Sequence, residues 1–360
     1  MQSITHDYKL LHPLMNYIEQ LYYLMSGEDN THALVETSLP SQFKSILQLF
    51  ADYGYPRDYK FFDMVVESLD IKNHNDRVVV CVSGGKDSLA TVLHYVEEGY
   101  DVRLFHLKGI NKCYPDEHRA IERASDYLKL PLCEWEVKLH GNHQYTEHPL
   151  KNWIFMNAAL TYAVTEVGTT NVAVGNFFSS TLEENKFDVS SGDAMEMWDE
   201  YCGIINDIIP NFNVLVPLEN VGDTLKAFEG KLDLLEISQS CLGTYRFKEY
   251  RGNNVRKKFG FPLMPHRCGG CWKCALEYIY FCDRDMLEFN KGYYQYCLLR
   301  LFLSYNMVFP GDLPTTIQEL WDSLLINHDI TESKLYPEIE TYEIDTWKKK
   351  IWFEPKKYNV

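Results

Sequence analysis

The chain has 360 residues, 46% of them apolar and 24% charged, which suits one large α/β domain with additions or two domains. Its formal net charge of −16 counts against a general nucleic-acid surface, since phosphate binding draws on Lys and Arg; RNA is therefore a disfavoured partner. No apolar run approaches the ~20 residues a membrane helix needs, and the start of the chain does not read as a signal peptide, so the expectation is a cytoplasmic protein with no membrane contact.

Residues 1–75 read as a helical accessory region. Leu11, Met15, Ile18, Leu21 and Leu24 recur at helical spacing, and Phe43, Ile46, Leu47 and Phe50 do the same. No chemistry is visible there, so the region is expected to pack on the core or mediate assembly.

The core is expected over 76–283. Val78, Val79, Val80, Cys81 and Val82 run straight into Ser83-Gly84-Gly85-Lys86-Asp87-Ser88, and Leu89, Ala90, Val92, Leu93 and Val96 follow at helical spacing. Strand, Gly-rich turn and helix in succession point backbone N–H groups and a helix N-terminus at an anion. Two glycines allow positive φ and close approach of a phosphate. Lys86 adds a positive charge, and Ser83 and Ser88 add hydroxyls. The turn is read as a phosphate cradle.

Further strands are predicted over 101–107, around 132–139 and over 171–175, with helices over 117–128 and 152–167. Strands and helices alternating at this spacing predict an α/β fold, a parallel sheet flanked by helices on both faces. Ligands in such sheets bind at the carboxyl ends of the strands. That puts the phosphate turn and the segments after Leu107 and Gly175 on one rim. Residues 284–360 return to helices, over 294–303 and 317–325, broken by Pro310 and Pro314.

Lys86 is followed by Asp87, and no glycine stands five residues before Gly85, so the turn is not a Walker A loop; the dinucleotide pattern G-x-G-x-x-G is absent as well. The run S-G-G-x-D-S resembles the PP-loop ATP pyrophosphatases, of the adenine-nucleotide α-hydrolase (HUP) class. That resemblance implies cleavage of ATP between its α- and β-phosphates, with Mg²⁺, to adenylate a substrate oxygen.

Cys268, Cys271 and Cys274 form C-x2-C-x2-C, with Gly269-Gly270 between the first pair and Cys241 upstream. Clustering of this kind points to metal rather than disulfides. The glycines allow a tight turn, and a fourth thiolate from Cys241 would complete a closed, structural Zn²⁺ site. An iron–sulfur cluster is the rival, but ferredoxin-type runs add a fourth Cys where Tyr278 stands. Cys282 is an alternative ligand, and Cys81, Cys113, Cys133, Cys202 and Cys297 read as ordinary thiols.

A PP-loop paired with these cysteines resembles the 7-cyano-7-deazaguanine synthase family, ATP-dependent enzymes that convert a deazaguanine carboxylate into a nitrile. Tyr114 followed by His118-Arg119, Lys151-Asn152 at a helix start, Pro217-Leu218 with Lys226, and Ser240-Cys241 follow the family's pattern, so the resemblance covers roughly 76–282. It implies an ATP-dependent C–N bond-forming ligase. Ser83, Gly84, Gly85, Lys86, Asp87, Ser88 and Gly175 would bind the nucleotide, and Tyr114, Arg119 and Asn176 would face the substrate. Lys86 would offset pyrophosphate charge, Asp87 would hold Mg²⁺ or fix the loop, and His118 is a candidate proton acceptor for the attacking amine.

The family's Gly-x-Asn-x-x-Asp and Tyr-Pro-Asp-Cys-Arg segments are missing after Gly175-Asn176. The acceptor is therefore left open between a deazapurine-like acid, another carboxylate, and a ligation to a protein amine. The terminal extensions suit a homo-oligomer or an operon partner. Two rival functions stand beside this one: a PP-loop tRNA-modifying thiolase, and a nucleotide-binding regulatory module without turnover.

Overall fold

Val78, Val79, Val80 and Val82 are all fully buried, as a strand covered on both faces of a parallel sheet requires. They belong to the computed structural model of the chain, which describes residues 73–108, 117–136, 151–175, 201–203, 205–206, 209–218, 221–239 and 269–303. The chain divides into two units, one within Met1–Glu219 and the other within Asn220–Val360.

The first unit is built on β1 (Arg77–Cys81), α1 (Lys86–Glu97), β2 (Asp101–Lys108), α2 (Glu117–Leu128), β3 (Leu132–Glu136), α3 (Lys151–Tyr162), β4 (Asn171–Ala173) and β5 (Asn213–Leu215). The strands form one sheet in the order β3-β2-β1-β4-β5. Every pairing is parallel. The expected parallel α/β sheet flanked by helices is thus present.

Alternation along the strands decides which helix covers which face. Val78, Val80, Val82, Val102 and Leu104 pack with Val92 and Tyr95 of α1 and Ile121 of α2. On the other face, Phe105 stacks on Tyr162 of α3 at 5.5 Å between ring centroids and meets Trp135 edge-on at 5.2 Å. The crossovers through α1 and α2 thus cover one face, and the return through α3 covers the other.

The chain therefore leaves β1 toward β2 and later returns to β4 on β1's other side. That reversal opens a crevice at the carboxyl ends of β1 and β4.

Three details differ from the sequence reading. The helix expected over 152–167 is α-helical only to Tyr162, and Ala163–Val167 form a π turn that ends at Gly168 in the left-handed region. The fourth strand stops at Ala173 rather than Gly175. β5 has no counterpart in the sequence reading, because a three-residue strand is too short to show a period. Its place is set by Thr170, whose hydroxyl donates to the Asn211 carbonyl at 2.7 Å.

Thr169 and Thr170 are fully buried. With Asn171 they cap carbonyls at the amino ends of the strands: Thr169 Oγ1 and Asn171 Nδ2 each donate to the Arg77 carbonyl at 3.0 Å. Their role is satisfaction of backbone groups.

The second unit carries α4 (Val221–Lys226), α5 (Leu232–Ile237), α6 (Trp272–Asp283) and α7 (Lys291–Leu303). Tyrosines join α6 to α7. The Tyr278 and Tyr293 rings meet edge-on at 4.5 Å, and the Tyr278 hydroxyl donates to the Glu288 carbonyl at 2.8 Å. Burying the ring while the hydroxyl finds a carbonyl is the usual solution for this side chain. No described helix is long and apolar enough to cross a membrane. Residues 1–72 and 304–360, where accessory helices were expected, lie outside the described residues.

Candidate functional site

The turn after β1 is closed by its own serine. Ser88 Oγ donates to the Gly85 carbonyl at 3.0 Å and accepts the Ser83 N–H at 3.3 Å. Gly85 is the N-cap of α1 and has no side chain with which to cap it. The first-turn N–H groups of α1 therefore meet no capping side chain, the arrangement an anion fills.

Gly84 has φ +77°, and a Cβ there would stand 2.9 Å from the Glu117 carbonyl oxygen at the start of α2. A Cβ on Gly175, just past β4, would lie 2.5 Å from backbone atoms of Asp87 and Ser88. The exit of β4 is thus laid directly on the first turn of α1, and only glycine permits it.

Lys86 is 3% exposed, and its Nζ lies 2.9 Å from Asp87 Oδ1. A cation kept from water interacts more strongly with an incoming anion than one at the surface. Ser83 is exposed at the mouth of the turn. Ser83, Gly84, Gly85, Lys86, Asp87, Ser88 and Gly175 are therefore brought together at the crevice between β1 and β4.

Beside this turn stands a second cluster, which the sequence reading largely missed. His106 and Glu134 are direct partners in the β2–β3 register. The His106 ring stacks 6.4 Å from that of His118 on α2, and His106 Nδ1 lies 2.9 Å from the Val82 carbonyl. Because a carbonyl only accepts, Nδ1 carries the proton and donates. His118 Nδ1 lies 2.7 Å from Glu134 Oε1, and its Nε2 lies 3.2 Å from Glu122 Oε1. Lys108 Nζ lies 2.7 Å from Glu134 Oε2 and 3.3 Å from His118 Nε2. His118, the candidate proton acceptor, thus has both ring nitrogens beside carboxylates. Arg119 is exposed on α2.

Burial lowers the pKa of His106 from 6.5 to about 4, with the Val82 bond and Glu134 opposing the shift and His118 and Lys108 adding to it. The unfolded ring keeps the higher value, so the stability contributed by the neutral ring is full above pH 6.5. It is lost as pH falls toward 4. The unfolding free energy of chelator-treated protein, from urea titrations, should drop across that window by roughly 3 kcal/mol, and His106→Gln should flatten that segment of the profile. An unchanged slope in the variant would assign the loss to other groups.

In the second unit Cys271 is the N-cap of α6, and Cys271 and Cys274 are 1% and 4% exposed with sulfurs 3.4 Å apart. Sulfurs on a tetrahedral zinc ion stand ~3.8 Å apart, given Zn–S bonds of ~2.3 Å. A helix N-terminus favours thiolate, so the pair fits a zinc ion. The turn before it is fixed by Gly269 at φ +68°. Its carbonyls accept from the Tyr293 hydroxyl at 2.9 Å and from Arg300 Nε at 2.8 Å. Among the described residues no third thiol joins the two within reach of one ion, which leaves Cys282 apart. Cys241 and Cys268, like Tyr114 and Asn176, lie outside the described residues.

Cys271→Ser is expected to cost about one zinc per chain, measured by elemental analysis. Iron with a brown chromophore in the unmodified protein would overturn this.

No protein-family model matches the chain. Over 83 residues it is 30% identical to the 7-cyano-7-deazaguanine synthase of Sulfolobus acidocaldarius, covering 21% of this chain and 18% of that protein. It is 32% identical over 63 residues to the 7-cyano-7-deazaguanine synthase 2 of Sulfurisphaera tokodaii, covering 18% and 14% of the two chains. With the 7-cyano-7-deazaguanine synthase of Saccharolobus solfataricus it shares 35% identity over 68 residues, 19% of this chain and 15% of that one. The matches support a relationship to these synthases, and they span less than a fifth of the relatives' own length.

Proposed function

We propose that the protein is an ATP-dependent ligase that adenylates a carboxylate, releases pyrophosphate and transfers the acyl group to an amine. The observation that carries this reading is the turn 83–88, set at the reversal of strand order and roofed by the Gly175 backbone. The partial identity with 7-cyano-7-deazaguanine synthases supports a deazaguanine-like acid as the acceptor.

In the proposed reaction a carboxylate oxygen attacks the α-phosphorus of ATP. The acyl–oxygen–phosphorus bond forms as the bond to the β-phosphate oxygen breaks. The amine nitrogen then attacks the acyl carbon, AMP leaves, and the proton released from nitrogen passes to solvent. No protein nucleophile is required, so catalysis rests on positioning and charge.

Amides of the turn and of the first turn of α1 hold the departing pyrophosphate, and buried Lys86 offsets its growing charge. Ser88 keeps the turn closed, since its proton goes to the Gly85 carbonyl. Asp87 is the residue that would hold Mg²⁺, whose charge assists pyrophosphate departure. Cys271 and Cys274, with Cys241 and Cys268, would hold a structural Zn²⁺ in the second unit.

The test is to incubate the protein with ATP, Mg²⁺, ammonium and a 7-deazaguanine carboxylate, and to read the products by mass spectrometry. An amide of the acid, formed with one equivalent of AMP, is expected; a nitrile requires the amide oxygen to be activated by a second ATP and would appear with two. ATP binding without turnover on deazapurine acids, RNA or protein amines would instead favour a nucleotide-binding regulatory module.

A further inference from the structure

We propose that His106, His118 and Glu134 form a binding site for a divalent transition ion of the zinc class, beside the phosphate turn and separate from the cysteine pair.

One donor atom from each of the three residues lies within 4.8 Å of the others, and no ion is present. His118 Nδ1 and Glu134 Oε1 are buried and 2.7 Å apart, yet neither has a partner in hydrogen-bonding geometry. Buried polar atoms left in that state are costly, and an ion drawing on both would satisfy them.

The surrounding contacts repeat, ligand by ligand, what metal sites use to orient their donors. His106 donates Nδ1–H to the Val82 carbonyl, which leaves Nε2 with its lone pair. Glu134 gives Oε2 to Lys108 and keeps Oε1 for the ion. His118 Nε2 stands 3.2 Å from Glu122 Oε1 and 3.3 Å from Lys108 Nζ, and the tautomer that donates Nε2–H to Glu122 leaves Nδ1 for the ion. All three ligands thus have the second atom of the group held by a neighbour.

Two imidazoles and one carboxylate suit Zn²⁺, Co²⁺ or Fe²⁺ rather than Mg²⁺ or Ca²⁺, which prefer oxygen donors. Three protein ligands leave a coordination position for water or a ligand oxygen. Lys108 is the cation in contact with Glu134 and His118. It neutralises the oxygen of Glu134 that the ion does not use, and the carboxylate of Glu122 balances the His118 ring.

The site is tied to the phosphate turn twice. His106 holds the carbonyl of Val82, the residue before Ser83, and Gly84 lies against the Glu117 carbonyl, one residue before His118. An ion there would place positive charge beside the cradle. The assignment gives His118 to the metal in place of the proton-acceptor role considered from sequence.

The experiment is a Co²⁺ titration of metal-free full-length protein. An ion on thiolates gives sulfur-to-cobalt charge-transfer absorption in the near ultraviolet, whereas one on imidazole and carboxylate gives only weak visible bands. An equivalent bound without charge transfer is expected, and His106→Gln and Glu134→Gln should each weaken it by at least ~10-fold while the thiolate bands persist. A Zn²⁺ titration of the unmodified protein with ¹⁵N-labelled histidine serves as a second readout that needs no variant. Nε2 of one histidine and Nδ1 of another should shift at stoichiometric metal. The proposal is overturned if every bound equivalent shows thiolate absorption, if both variants bind as the unmodified protein does, or if no ring nitrogen shifts.

Discussion

Lys86→Ala is expected to lower pyrophosphate release by ~10²–10³-fold, the loss seen when one group stabilising transition-state charge is removed. Lys86 is 3% exposed and opens α1, so its ammonium acts where water screens little. Its neighbour Asp87 keeps more than a quarter of its side chain exposed, so losing the ion pair leaves a carboxylate that water can still reach. The variant should therefore fold, with activity falling far more than thermal stability. Lys86→Arg should not rescue it, because the lysine side chain is almost wholly enclosed and a planar guanidinium is larger and differently shaped from an ammonium. Steady-state pyrophosphate release set beside melting temperature makes the comparison. Equal losses in both would mean that the lysine is structural.

Gly175→Ala is the second large effect. The new methyl would sit 2.5 Å from Asp87 and Ser88, and the atoms it meets are backbone, which cannot rotate away. Either β4 or the first turn of α1 has to shift, and overpacking of this kind costs ~1–3 kcal/mol. ATP affinity should fall by at least tenfold, as the N–H groups that face the phosphates are displaced. Gly203→Ala is the control, since its Cβ would meet nothing within 4 Å on a helical residue. It should leave binding unchanged and raise stability by ~0.5–1 kcal/mol. Unchanged ATP affinity in Gly175→Ala would show that the contact does not shape the cradle.

The strand–turn–helix around 83–88 was legible because its parts are contiguous: an apolar strand, S-G-G-K-D-S and a helix all lie in one stretch of sequence. The helix Glu117–Leu128 begins and ends where its periodicity says, with Ala120, Ile121 and Ala124 buried toward the sheet. The cluster beside the turn was not legible. His106 in Leu104-Phe105-His106-Leu107 reads as a lone histidine in an apolar strand. Only the β2–β3 register, set by a crossover through α2, brings it opposite Glu134. Nothing local in the sequence encodes that pairing. The alternation of His106 with Lys108 along β2 was the available signal, two polar residues on a strand face otherwise made of Val102 and Leu104.

Ser88 shows a different limit. Its residue type suggests a donor to phosphate, but the proton of a single hydroxyl is directed to the Gly85 carbonyl, a geometric fact that the motif does not carry. At the other rim, Thr169, Thr170 and Asn171 donate to the carbonyls of Arg77 and Asn211, contacts that only the folded sheet brings together. Gly175 was assigned to the nucleotide by resemblance alone; what the structure shows is a steric need for glycine there, a backbone-to-backbone approach that excludes any Cβ.

In the function we propose, the turn after β1 holds ATP for cleavage between the α- and β-phosphates. The most direct measurement uses ATP labelled at the α-phosphorus, with Mg²⁺ and the carboxylate acceptor, and follows where the label goes. Labelled AMP with an equal amount of pyrophosphate is the predicted result. Labelled ADP with inorganic phosphate would contradict it.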